Sequence, residues 1–245
     1  MIPFKYYYLA IDLGVLLFPF LFSFYSKMPF YKYWKALGVG ILAMMIVFIP
    51  WDIYFTSEGI WGFNEKYLTG IKLINLPIEE WLFFICIPYA CIFTYESFNY
   101  LFPKVNERWN GKKWSGFYIL ILIPILFVNF THWYTATTAV LTIVALGILI
   151  GLKFKKLGLL HFSWIVLLVP FYLSNGVLTG INFTQYHFIN MYPDQVSDMI
   201  VWYNNSHNLG IRIWSVPLDD FFYGMLMLLI SIPVYEWSKK RFMAA

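Results

Sequence analysis

Charge is scarce in this chain. Only 12% of its 245 residues are Asp, Glu, Lys or Arg, roughly half of what an average soluble domain carries. Hydrophobic types make up 60%, aromatics 22%, and the mean hydropathy is +0.65. That balance excludes an ordinary soluble enzyme and a disordered chain. Cysteine is scarce too. Cys86 and Cys91 share one apolar run, so there is no disulfide scaffold and no metal pair. His132, His161, His187 and His207 lack metal-ligand spacing, and single polar partners are expected for them. Gly38-Val39-Gly40 with Ala43 mimics a dinucleotide fingerprint but lies inside an apolar run rather than after a strand. The last apolar run, 217–237, has no lysine for a retinal Schiff base, and no aspartate-rich diphosphate–magnesium motif occurs. The net charge of +4 calls for no nucleic-acid partner, because the basic residues follow membrane topology.

What the sequence has in abundance is apolar runs long enough to cross a bilayer. They lie at 6–25, 36–51, 77–99, 117–131, 134–152, 159–175 and 217–237. The expected fold is all-α and membrane-integral, with seven spans. The first run lacks a small-residue cleavage site and reads as a span rather than a signal peptide. Basic residues sort between alternate loops. Thirteen of the 17 follow the first, third, fifth and seventh spans, and the other four are Lys5, Lys66, Lys72 and Arg212. The positive-inside rule then predicts an outer N-terminus and a cytoplasmic C-terminus, in a cell inner membrane. Segments 52–76 and 176–216 fall outside, rich in Gly, Asn, Trp and Tyr, and read as structured caps.

The chain resembles itself at an offset of 140. Gly70-Ile71-Lys72-Leu73 pairs with Gly210-Ile211-Arg212-Ile213, and Leu76-Pro77-Ile78-Glu79-Glu80-Trp81 with Val216-Pro217-Leu218-Asp219-Asp220-Phe221. Phe63-Asn64 and Tyr95-Glu96 recur as Tyr203-Asn204 and Tyr235-Glu236. The unit is three helices, with the fourth span as a connector that makes the two units run parallel. Expected boundaries are 1–100, 101–133 and 134–245. A pseudo-two-fold axis along the membrane normal follows, with the site between the halves.

Pro77 and Pro217 suit the first turn of a helix, which puts Glu79, Glu80, Asp219 and Asp220 in that turn. Acids there complement the helix dipole, and that role alone would explain them. Duplication suggests more: four carboxyls could converge, and crowded carboxyls beside apolar rings do not all ionise, so one keeps a proton for general acid work. Asp52 and Asn175, read as ending the second and sixth spans, could cap those helices or hydrogen-bond the acids. Trp51, Trp61, Phe83, Phe84, Phe221, Phe222 and Tyr223 could form an ordinary aromatic belt or shield a carbocation by their ring faces. Glu96 and Glu236, 19 residues beyond the prolines, are expected to anchor the opposite interface.

The motif Leu76-Pro77-Ile78-Glu79-Glu80-Trp81-Leu82-Phe83-Phe84 resembles the signature of the membrane lycopene cyclases of bacteria, archaea and fungi. Trp51-Asp52 and Gly59-Ile60-Trp61-Gly62-Phe63 are similar to that family's first domain. Asn175-Gly176-Val177-Leu178-Thr179-Gly180 and Val216-Pro217-Leu218-Asp219-Asp220 are similar to its second. The resemblance implies the fused form of two three-helix domains, working without flavin or other cofactor in membrane lipid. The implied reaction is redox-neutral: an acid protonates the terminal double bond of linear lycopene, the cation closes a ring, and a base removes a proton to leave a β-ionone end. It assigns catalysis to Glu79, Glu80, Asp219 and Asp220, positioning to Asp52 and Asn175, and substrate contact to Trp61, Phe83, Phe84, Phe221 and Tyr223. Which carboxyl gives the proton, and how many rings form, the sequence leaves open. A carotenoid hydratase and a non-enzymatic carotenoid-binding protein remain alternatives at this stage.

Overall fold

A computed structural model describes residues 2–244. Its helices are α1 (Tyr7–Phe22), α2 (Trp34–Ser57), α3 (Ile78–Leu101), the single turn α4 (Val105–Arg108), α5 (Gly111–Val128), α6 (Trp133–Gly151), α7 (Leu157–Thr179) and α8 (Asp219–Ala244). All but α4 are long and apolar enough to cross a membrane. Helix is what an apolar run must form there, since only a helix or a closed barrel satisfies its own backbone in hydrocarbon. The protein is an all-α, multi-pass membrane protein.

The predicted spans hold, with shifted ends. The second runs as helix without a break through Ser57, six residues past the expected end, and the seventh runs seven past its own. Asp52 and Asn175 therefore do not end or cap their helices. Each lies inside one, with its side chain turned inward, and the helix continues for a further turn. The prolines shift the other way. Pro77 stands just before α3 with extended backbone, and Pro217 lies in the strand ahead of α8. The two acidic pairs do open their helices.

The caps contain short strands that the sequence reading lacked: β1 (Trp61–Phe63), β2 (Lys72–Leu73), β3 (Leu76–Pro77), β4 (Ile189–Asn190), β5 (Val201–Tyr203), β6 (Arg212–Ile213) and β7 (Val216–Pro217). Runs of two or three residues are too short to leave an alternation signal. β2 and β3 form one tight hairpin, β6 and β7 another, with Ile74 and Trp214 at matching positive φ of 62° and 55° in the turns. β1 and β5 join the caps as an antiparallel pair, Trp61 opposite Tyr203 and Phe63 opposite Val201. Two crossed hydrogen bonds extend that pair: Asn64 N–H donates to Ile200 O at 2.8 Å, and Asn204 N–H to Ile60 O at 2.9 Å. Gly62 is required at this seam, because a Cβ there would sit 2.3 Å from the Trp202 ring.

Helix packing follows the same pairing. α1 lies along α3, and α6 along α8. α2 and α7 reach across, α2 onto α8 and α7 onto α3, while α5 packs on α6 and α7. The N-terminal residues share an end with the caps, where Tyr7 stacks on Tyr67 at 5.8 Å. The opposite end holds the basic loops. There Lys239 pairs with Glu96 at 2.6 Å and Lys156 with Glu236 at 2.7 Å, as expected of interface anchors.

Candidate active site

Each acidic pair divides its two members between different tasks. The first member reaches back to the cap: Thr69 N–H donates to Glu79 Oε1 at 2.7 Å, and Leu209 N–H to Asp219 Oδ2 at 3.1 Å. Thr135 Oγ1 also donates to Asp219, at 2.5 Å. These bonds tie the loop before each hairpin to the first turn of the next helix. Glu79 and Asp219 are thus buried structural acceptors outside the cavity wall. The second member, Glu80 or Asp220, lines the cavity.

That cavity has a volume of about 330 Å³ and lies between α1, α3, α7 and α8, roofed by β1 and β5. The size lies within the range of small-molecule sites, roughly 300–1,000 Å³. Its polar groups crowd one end. Tyr8 donates to Glu80 Oε2 at 2.5 Å, and Trp61 Nε1 donates to Asp52 Oδ1. Asp52 and Glu80 are direct neighbours, and Asp52 Oδ2 and Glu79 Oε2 have no hydrogen-bond partner. Across from them Asp220 accepts three bonds, from Tyr134 at 2.6 Å, Asn175 Nδ2 at 2.7 Å and Tyr203 at 3.0 Å. Among the described residues no Lys or Arg lines the cavity. The buried Arg212 lies behind Tyr203, 5.7 Å from its ring centre, held by Ser215 O and Asn205 Oδ1. Burial, and then the Asp220 charge, hold the Tyr203 phenol well above its ordinary value, so it stays a donor.

The two acid clusters are variants of one design. Tyr8 serves Glu80 as Tyr134 serves Asp220, and Asp52 stands to Glu80 as Asn175 stands to Asp220. The matching is exact in role but not in chain offset: 140 for the caps, α3 and α8, 126 for the two tyrosines, 123 for Asp52 and Asn175.

Of the aromatic residues singled out from sequence, Trp61, Phe83 and Tyr223 line the cavity. Phe84 and Phe221 do not. Phe84 is buried against Phe48 on α2, at 6.0 Å, and Phe221 packs on Trp164 and Tyr118, at 5.4 and 6.1 Å. Both lie next in sequence to a position facing the cavity or the caps, and one helical step of about 100° turns them into the bundle. Sequence reasoning missed Tyr8, Tyr134 and Tyr203. It also missed Asp12, fully buried on α1 one turn beyond Tyr8, with both oxygens unpartnered. Among the described residues no His, Cys, Asp and Glu cluster could hold a metal ion.

A family model described as lycopene cyclase matches residues 5–98 and 131–238. The chain belongs to the lycopene cyclase family. The gap between the two matches contains α5. A lycopene beta-cyclase of Halobacterium salinarum is 42% identical over 53 residues, 21% of this chain and 22% of that protein. A bifunctional lycopene cyclase/phytoene synthase of Pyrenophora tritici-repentis is 32% identical over 72 residues, 29% of this chain and 12% of the relative. A second such bifunctional protein, from Phycomyces blakesleeanus, is 36% identical over 63 residues, 25% of this chain and 10% of the relative. The matched stretches thus span less than a quarter of these relatives. No solved structure matches the chain.

The division of labour within each pair has a direct test. Glu79→Gln keeps an acceptor for Thr69 N–H and should leave thermal stability in detergent near that of the parent. Glu79→Ala should lower stability by about 1–3 kcal/mol, the cost of an unmet buried donor. Equal stability of the alanine variant and the parent would contradict the anchoring role.

Proposed function

We propose that this chain cyclises lycopene by acid–base catalysis, an intramolecular lyase among the isomerases. The observation that carries this reading is a cationless pair of buried carboxyls, Asp52 and Glu80, set against a third carboxyl that has three donors of its own. Two neighbouring carboxyls without a cation cannot both ionise and hold one proton between them. Asp220, satisfied by two phenols and an amide, is the natural carboxylate.

Chemistry then assigns the steps. Glu80, with Asp52 behind it, gives its proton to the terminal double bond of a linear carotenoid end. The tertiary cation is attacked by the neighbouring double bond and a six-membered ring closes. Trp61, Phe83 and Tyr223 present rings around that volume and offer no aliphatic nucleophile. Asp220 removes a ring proton, leaving a new double bond and a β-ionone end. The proton returns to the Asp52–Glu80 pair through exchange with solvent. No electrons are gained or lost. Beyond its polar end the cavity is walled by side chains such as Ile87, Leu167 and Met227, which argues against delivery of water to the cation, as a hydratase would need.

Glu80→Gln should lower ring formation by roughly 10²–10⁴-fold, the usual worth of a general acid, with unchanged protein in the membrane. Asp220→Asn should also impair it, and Glu79→Gln should retain most of it. The measurement is pigment chromatography from a lycopene-producing bacterial host. Near-parental cyclisation by Glu80→Gln, or lycopene left intact by well-expressed parent protein, would overturn the assignment.

We further propose the division 1–100, 101–133 and 134–245 as two parallel three-helix units joined by a connector, with linear carotenoids and membrane lipid as the partners. The 13-to-4 asymmetry of basic residues supports an outer N-terminus, cytoplasmic C-terminus and outer acid clusters in a cell inner membrane. A C-terminal reporter should be active in the cytoplasm, and activity only in the periplasm would reverse the orientation.

A further inference from the structure

Among the described residues the acids of both halves face one long apolar cavity. The cavity is continuous from Glu80 to Thr94 on α3 and from Leu178 to Trp164 on α7. Fourteen residues of helix give it a length of about 21 Å. All its acids lie at the cap end. The other end is lined by Thr94 on α3 and Trp164 on α7. A linear C40 chain is about as long as the bilayer core is thick, roughly 30 Å. It does not fit inside.

One wall is open. Phe18 on α1 and Pro170 on α7 both line the cavity and are both exposed to the membrane side, and α1 and α7 touch only lightly. Ser174, on the same wall of α7, bonds Pro170 O at 2.9 Å and so satisfies backbone near the opening. Three of the helices around the cavity carry a proline in its lining: Pro19, Pro88 and Pro170. Each removes an intrahelical hydrogen bond and lets its helix bend away.

The equivalent seam of the other half, between α6 and α2, is exposed at Val144 and Val47 but is built differently. By the offsets of the two acid clusters, Pro19, Pro88 and Pro170 correspond to Ala145, Leu228 and Val47, and the prolines of α2 and α8 stand elsewhere, at Pro50 and Pro233. The small cavity residues Ser174 and Gly224 correspond to Trp51 and Phe84. Those rings fill the seam, Trp51 5.2 Å from Tyr223 and Phe84 6.0 Å from Phe48.

We propose that the gap between α1 and α7 is the lateral passage through which a long polyene moves between lipid and the acids. It rests on the cyclase reading for the identity of the polyene. One end of the chain reaches Glu80 and Asp220, and the remainder lies across Phe18 in the hydrocarbon. A second end reaches the acids only after the first has withdrawn and the molecule has turned around. Each ring is therefore a separate binding event, with the half-cyclised carotenoid free in the membrane between them.

The test places the photoreactive residue p-benzoylphenylalanine at Phe18, or at Val144, which is Phe18's equivalent on the closed side and is likewise exposed. Each protein is reconstituted into phospholipid vesicles containing lycopene and irradiated. Polyene absorbance is then read on the separated protein. The Phe18 variant should carry several-fold more polyene than the Val144 variant, and the Ser174 variant should match Phe18 should the latter express poorly. Equal labelling at Phe18 and Val144, or none at Phe18 and Ser174, overturns the passage. Parent protein in the same vesicles is analysed separately for ring formation. Labelling at Phe18 with no cyclisation by the parent would sink the cyclase reading and leave the passage standing.

Discussion

The structure turns on a proton held in an apolar place. Asp52 and Glu80 are buried side by side with no Lys or Arg in the cavity they face. A carboxylate desolvated without a cation is costly, so such a pair keeps a proton. Everything around it preserves that condition. The β1–β5 pair closes the site over its polar end, Trp61 and Tyr8 supply one donor each, and Glu79 fastens the cap to the helix that carries Glu80. On the facing side the same positions are tuned the other way. Asn175 replaces a carboxyl by an amide donor, Tyr203 adds a phenol, and Arg212 stands behind it. In the proposed mechanism these two related clusters serve as acid and base on either side of the cavity.

Much of this was legible in the sequence, for reasons that can be named. Low charge and long apolar runs gave seven spans, because hydrocarbon allows few alternatives. The 140-residue repeat placed both acidic pairs at one end, because the stretch from β1 or β5 through the hairpin into the next helix keeps the same spacing in both halves. The same rule explains what was missed. Upstream the spacing differs, chiefly because the second cap is longer, with 45 residues from Asn175 to Asp220 against 28 from Asp52 to Glu80, so Tyr8 and Tyr134 are related by 126 and Asp52 and Asn175 by 123. A search at a single offset passes over them. Tyr203 lies opposite Trp61 through strands too short to show alternation.

The roles within each acidic pair were not legible either. Adjacent residues on a helix point about 100° apart, but which of them faces the cavity depends on how α3 and α8 lie against α1 and α6. The structure gives the cavity to Glu80 and Asp220, and gives Glu79 and Asp219 to the backbone of Thr69 and Leu209. Phe84 and Phe221 moved into the bundle on the same grounds. Asp12 on α1, buried without a partner, belongs with the acids by location, and its absence from the cavity wall sets it behind them.

The central claim is that a protein-held, solvent-exchangeable proton is added to the substrate each time a ring forms. Purified protein in vesicles, pre-equilibrated in D₂O and given lycopene, tests it through the mass of the products. The account predicts one deuterium retained in every ring, located at the carbon first protonated, with monocyclic product carrying one and bicyclic product two. Cyclic products free of deuterium after full exchange of the protein would contradict it.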